Sequence, residues 1–208
     1  MPGLLAGARL YTHSRNSAGE RVRIALQLKG LEVEMVDAPE LPRAEWKELN
    51  PQGLMPALRL ADGRVIAQAT AILELLEECA PAPPLLPADP VGRAQARAFA
   101  QHIASDLHPI TVQRVRRHLA APDDGTAWVA HWTSLAMTAL EAALDHRHEA
   151  TAFCFSDQPG WADLHLVPQL RASRRLGCDL SPYPGLLAVE ARCDTHPAFR
   201  LPAPEFGV

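Results

Sequence analysis

No stretch of this chain approaches the roughly 18 uninterrupted apolar residues of a membrane span, and its first ten residues lack the basic start and long apolar centre of an export signal. Neither a membrane protein nor a secreted one is expected, which leaves the cytosol as the default address. Paired cysteines are missing too. Cys79, Cys154, Cys178 and Cys193 lie far apart with no Cys-x-x-Cys motif, which excludes a dithiol redox centre and reads as buried thiols rather than disulfides. The nine histidines are scattered, with His146-x-His148 the closest pair and no Cys or carboxylate cluster at a zinc-like spacing. No metal site is expected. A basic excess is likewise absent: 20 Lys and Arg against 24 Asp and Glu give a net charge of −4, which offers no electrostatic reason to bind nucleic acid.

What is present is a globular composition, 48% hydrophobic and 21% charged over 208 residues, long enough for one large or two small domains. The hydrophobic period changes along it. Residues 8–12 read as a strand and 18–29 as a helix with Val22, Ala25 and Leu26 on its apolar face, stopped by Gly30. Residues 32–37 alternate as a second strand. Residues 56–60 and 64–67 flank Ala61-Asp62-Gly63 as an antiparallel hairpin. Ile72, Leu75, Leu76 and Cys79 follow the i, i+3, i+4, i+7 rule of an amphipathic helix. The order βαβ then ββα, with a right-handed crossover, is that of a thioredoxin-like half-chain. The proline-rich stretch APAPPLLPADP at 80–90 is an interdomain linker. Strand signals vanish beyond it. Helix is expected over 91–119 with a kink at Pro109, around Trp128 and Trp132 as core residues, over Trp161–Arg175 and over Pro184–Cys193. The division is therefore 1–80, a linker at 81–90 and an all-α domain at 91–208.

Chemistry is concentrated at the first helix start. Ser17-Ala18-Gly19-Glu20 matches a capping box, with Ser17 as N-cap and Glu20 reaching back. Unpaired N–H groups and the positive dipole end at such a start favour an anion. A thiolate is one: a free thiol has a pKa of about 8.5, and a helix start with hydroxyls and an arginine nearby raises its ionised fraction.

Seven segments in order resemble the glutathione transferases, in particular the zeta-like maleylacetoacetate and maleylpyruvate isomerases. They are the loop from Arg15 to Arg21 with VRIALQLKG, ELNPQGLMPAL, Gln68 leading into AILELLEE, the PLLPADP linker, SDLHPI, WADLHLVPQL and RRLGCDLSPYP. The resemblance implies a glutathione transferase fold, an α/β thioredoxin-like domain followed by an all-α domain, and glutathione as cofactor. It implies that Met55 precedes a cis Pro56 and pairs through its backbone with the cysteinyl part of glutathione, as an added strand would. Gln68, with Ala69 and Thr70, falls on the positions that hold the γ-glutamyl end. Asp163 falls on a helix-start aspartate that supports folding.

Two departures stand out. The family loop Arg-Ser-Ser-Cys-Ser-Trp-Arg is here Arg15-Asn16-Ser17-Ala18-Gly19-Glu20-Arg21, so Ser17, the Asn16 amide, backbone N–H groups and Arg15 are left to stabilise the thiolate. Ala69 replaces the serine that holds the γ-glutamyl carboxylate in most relatives, and Thr70 is the nearest substitute. The implied activity is glutathione-dependent cis–trans isomerisation of a maleyl keto-acid of aromatic catabolism. Arg15, Arg114 and Arg175 would fork onto the substrate carboxylates, with His108 lining the same cleft, while Arg116, Arg117, Arg171 and Arg174 are read as solvated charges. The partners are then glutathione and a small dicarboxylate, in a homodimer. Two other readings stay open: a transferase that conjugates or dehalogenates small electrophiles, and a non-catalytic binding protein on the same fold.

Overall fold

A computed structural model describes residues 2–119 and 123–200. The chain divides into two compact units, one built from the chain up to Leu85 together with the stretch from Pro197, the other Leu86–His196.

The first unit is a four-stranded sheet with helices. It comprises β1 (Arg9–Thr12), α1 (Ser17–Leu28), β2 (Glu34–Asp37), α2 (Arg43–Leu49), β3 (Ala57–Arg59), β4 (Val65–Ala67) and α3 (Ala69–Cys79). Strand order is β2-β1-β3-β4, with β1 parallel to β2 and the other pairs antiparallel. The mixed sheet follows from the connections: the α1 crossover returns β2 parallel to β1, and the Asp62-Gly63 turn folds β4 back on β3. Leu10 in β1 and Leu58 in β3 are fully buried, and α1 lays Val22, Ile24, Ala25 and Leu26 into the core before Gly30, at φ +63°, ends it.

Two details differ from the sequence pattern. In α3 the buried set is Ile72, Leu73, Leu76 and Cys79, with Leu75 only half-buried, so the apolar face is turned one residue from that expected. The helix α2 has no counterpart in the sequence reading. It is only seven residues long and is anchored by Trp46, whose ring lies 6.0 Å from that of Tyr11, too short a stretch to display a period.

The carboxyl ends of α1 and α3 are joined by a buried ion pair. Lys29 Nζ lies 2.7 Å from Glu77 Oε2 and also donates to the carbonyls of Ala80 and Pro83, while Glu77 accepts the Leu85 N–H at 3.1 Å. Each charge is thus paired and hydrogen-bonded, which a buried charge requires. The pair holds the proline-rich stretch against the first unit.

The second unit is helical, with α4 (Pro90–Gln101), α5 (His108–Thr111), α6 (Gln113–Leu119), α7 (Thr126–Asp145), α8 (Trp161–Arg175) and α9 (Pro184–Cys193). Asp89 caps α4 by accepting the Gly92 N–H at 2.8 Å, ahead of Pro90. The continuous helix expected over 91–119 is broken in two places instead of kinked at Pro109. A wide π turn runs from His102 to Leu107, and Val112 is extended between α5 and α6. Pro109 has no N–H for the carbonyl one turn before it, and a wider turn ahead of the proline accommodates that loss. Trp128 and Trp132 form an edge-to-face pair at 5.5 Å but are half-buried rather than core residues, with Trp128 Nε1 donating to the Ile110 carbonyl.

The centre of this unit is α8, buried along its first ten residues. Asp163 organises its start, accepting the N–H of Gly160 at 2.8 Å and of Cys154 at 3.0 Å. Gly160 has no side chain to cap with, so the reach-back half of a capping box acts alone. Burial raises the Asp163 carboxyl above its ordinary value. His165, on the same helix, turns Nδ1 to the Trp161 carbonyl at 2.8 Å and serves packing. Asp163→Ala strips partners from two buried amides at about 1 to 3 kcal/mol each, and chemical denaturation should show a loss of roughly 3 kcal/mol or more with an unchanged slope.

Candidate active site

The sheet register gathers the sequence motifs of the first unit at one end. Tyr11 pairs with Ala57, and Ala57 with Ala67. The next residue along each strand path is therefore Thr12, Pro56 and Gln68, with Asp37 of β2 opposite Thr12. Strands lie about 4.8 Å apart, so Thr12 to Gln68 spans about 10 Å. The loop to α1, the Met55–Pro56 bond and the entry to α3 all open from this row.

Asn16, not Ser17, caps α1. Its backbone is extended (φ −93°, ψ 102°) and its side-chain oxygen accepts the Gly19 N–H. The cap sits one residue earlier than the Ser-x-x-Glu pattern suggested because the Asn16 carbonyl group reaches the third helical N–H. Glu20 then lies one position too late to reach back. Ser17 becomes the first helical residue, 6% exposed and free of cap duty. Beneath the turn, the fully buried Thr12 hydroxyl has no hydrogen-bond partner among the described residues. A Cβ on Gly19 would lie 2.0 Å from Thr12 Oγ1 and 2.6 Å from Asn16 Oδ1. Glycine is required by that closeness. His13 Nδ1 lies 2.9 Å from Asp37 Oδ1 and ties the loop to β2, and Arg15 is exposed.

The Met55–Pro56 bond is cis, as the resemblance implies. Asn50, buried, donates to the Leu54 carbonyl at 2.6 Å and shapes the turn that delivers Met55. Gln68 follows β4 directly and opens α3 with φ +75°, a conformation a non-glycine residue adopts only at a cost of about 1 to 3 kcal/mol. The side chain is exposed, with Nε2 2.7 Å from Gln52 Oε1. No side chain caps α3, so its first N–H groups stay available beside buried Ala69 and half-buried Thr70.

Two arginines of α1 lie inside the protein, which the sequence motif did not reveal. Arg21 is 2% exposed, and burial lowers its guanidinium pKa from the ordinary value to about 10. It remains cationic at neutral pH. Arg23 is also buried.

The other arginines expected to bind substrate belong to the second unit. His108 begins α5, half-buried; Arg114 lies exposed on α6, which packs against α5; Arg175 is the exposed last residue of α8. The contacts bring together the helices of His108 and Arg114. Arg171 and Arg174, read as surface charges, are paired with Asp194 at 2.5 Å and with Glu190 at 2.7 Å. Among the described residues no group of three or more His, Cys, Asp or Glu is placed to hold a metal ion, and no helix is long and apolar enough to cross a membrane.

The first unit thus offers two helix starts facing one strand row, a strained glutamine between them and an unpartnered buried hydroxyl. That donor set fits an extended, anionic peptide thiol. Residues 17–79 match the family model for the glutathione S-transferase N-terminal domain. Maleylpyruvate isomerase of Ralstonia is 41% identical to this chain, over 94% of it and 96% of that protein. Maleylacetoacetate isomerase of Pseudomonas aeruginosa is 37% identical, over 92% and 93%. Among solved structures, a holo maleylpyruvate isomerase described as a bacterial glutathione S-transferase of zeta class superposes with a TM-score of 0.86 at 40% identity, covering 92% of this chain and 94% of that one. A maleylacetoacetate isomerase of Anaeromyxobacter dehalogenans with glutathione bound in its active site gives 0.81 at 39%, covering 95% and 98%.

Gly19→Ser, which restores the residue of the family loop, should destabilise the protein by about 1 to 3 kcal/mol through overpacking. Thermal melts of a Thr12→Ala, Gly19→Ser double-mutant cycle should show that removing the Thr12 hydroxyl recovers much of that loss; additive effects would show that the two residues do not compete for space.

Proposed function

The chain belongs to the glutathione S-transferase family, and from that premise we propose that it is a glutathione-dependent cis–trans isomerase of a maleyl keto-acid in aromatic catabolism. The carrying observation is the convergence of the Thr12, Pro56 and Gln68 row with the starts of α1 and α3. When bound, glutathione supplies a thiolate that adds to the cis double bond and is expelled after rotation, returning unchanged.

The protein's own residues create the conditions for that chemistry. The first turn of α1 presents backbone N–H groups and the Ser17 hydroxyl to the sulfur, the Asn16 amide and Arg15 stand beside it, and negative charge is stabilised where it must persist. Met55 offers its backbone to the cysteinyl part of the ligand. Gln68 and the N–H groups of Ala69 and Thr70 take the γ-glutamyl end. Ala69 has no hydroxyl, and a hydrogen bond to a charged group contributes about 1.5 to 3 kcal/mol, so affinity is expected to be roughly ten- to a hundredfold below that of a serine-bearing site. Arg15, Arg114 and Arg175, with His108, would orient the two carboxylates of the substrate and offset charge that develops on its keto-enol system. We assign glutathione binding to residues 1–80 and substrate binding to 91–208, joined by 81–90, and place the activity in a cytoplasmic homodimer.

Titration calorimetry with millimolar glutathione should give a measurable binding isotherm, and maleylpyruvate or maleylacetoacetate should be converted to the fumaryl isomer; binding without either conversion would reject the isomerase. Ser17→Ala should lower kcat at least tenfold while the melting temperature stays within a few degrees. Arg175→Ala should raise KM for the diacid and leave the glutathione Kd unchanged, and an unaltered KM removes it from the site.

A further inference from the structure

We propose that Arg21 is a positioning residue that holds the thiol bound at the start of α1 in its anionic form. This rests on the glutathione site proposed above. Arg21 Nε and Nη2 are buried without a hydrogen-bond partner among the described residues. A buried guanidinium left in that state destabilises the fold, and unsatisfied buried groups concentrate where a ligand completes them. Residues four apart share a helix face, and a long side chain covers the turn preceding its own Cα. Arg21 is four residues after Ser17, so its charge lies on the face that carries Ser17.

Among the described residues little offsets that charge. Glu20 is the carboxylate whose field reaches it. On α3, which packs against α1, Glu77 is paired with Lys29, and Glu74 is likewise engaged. The turn Pro197–Phe199, also packed on α1, has no titratable side chain. Burial keeps the local dielectric low and excludes counter-ions, so the field of Arg21 acts on the sulfur with little screening, unlike that of exposed Arg15.

The test is to titrate bound glutathione by thiolate absorbance near the ultraviolet edge, in the unaltered protein and in Arg21→Met, Arg21→Gln and Arg21→Lys, alongside melts of the unliganded proteins. Both neutral variants should raise the thiol pKa by about one unit, a tenfold smaller thiolate fraction below that pKa, while Arg21→Lys keeps it near the original value. Molar salt should leave the thiol pKa of the unaltered protein nearly in place. Arg21→Met should melt no lower than the original, since an unpaired buried charge has been exchanged for an apolar side chain. A lower melting temperature with an unmoved thiol pKa in either neutral variant makes Arg21 structural and overturns the inference alone. A protein that binds no glutathione at all overturns the proposed function together with it.

Discussion

The side-chain oxygen of Asn16 on the Gly19 amide determines where α1 begins, and much of the site depends on that register. With the cap at residue 16, Ser17 enters the helix as its first residue and its hydroxyl is released from capping. Ala18 and Gly19 turn inward, and Arg21 arrives one turn later on the face of Ser17. Moving the start by one residue would rotate every one of these side chains by about 100°. The Thr12 hydroxyl beneath Gly19 keeps the start where it is, because the last residue of β1 and the third helical residue leave each other no room.

The second unit meets a similar constraint with a different residue. Its central helix is entered through Gly160, and the missing cap is supplied from inside by Asp163, which also holds the Cys154 amide and so the loop before the helix. In the second unit the absent capping side chain is offset by a carboxylate three positions on, whereas in the first Asn16 caps from the N-cap position itself. The fold keeps its helix starts while the residues at those starts change, and that leaves room for chemistry to be moved from one side chain to another at the first of them.

Much of this architecture was legible in the sequence. Periodicity and punctuation located β1, α1, the hairpin and α3, and the limits of α8 and α9 were read correctly to the residue. What failed was finer. The seven-residue α2 carries a single buried anchor and no measurable period, and the break around Pro109 took the form of a π turn and an extended Val112, because proline says where a bond is lost and not how the chain adjusts. At the site, motif matching brought Asn16, Ser17, Met55, Pro56, Gln68, Ala69 and Thr70 to one end of a sheet. It could not see Thr12, a threonine like any other in a strand, nor that Arg21 is enclosed, since an arginine in a helix is ordinarily solvated. It also chose the wrong cap, because Ser17 and Asn16 are both good capping residues and only the backbone of residue 16 decides between them.

The placement of the cysteines bears on how such a protein would coexist with an electrophile. Ala18 stands where the family loop carries cysteine. Cys79, Cys154 and Cys193 are buried, Cys178 is half-covered, and burial pushes the thiols of Cys154 and Cys193 upward, away from ionisation. An activated double bond is attacked by whatever sulfur is ionised and within reach. A catalyst with most of its own sulfurs enclosed leaves the borrowed one as the preferred nucleophile, and so can process a thiol-reactive compound repeatedly without being consumed by it.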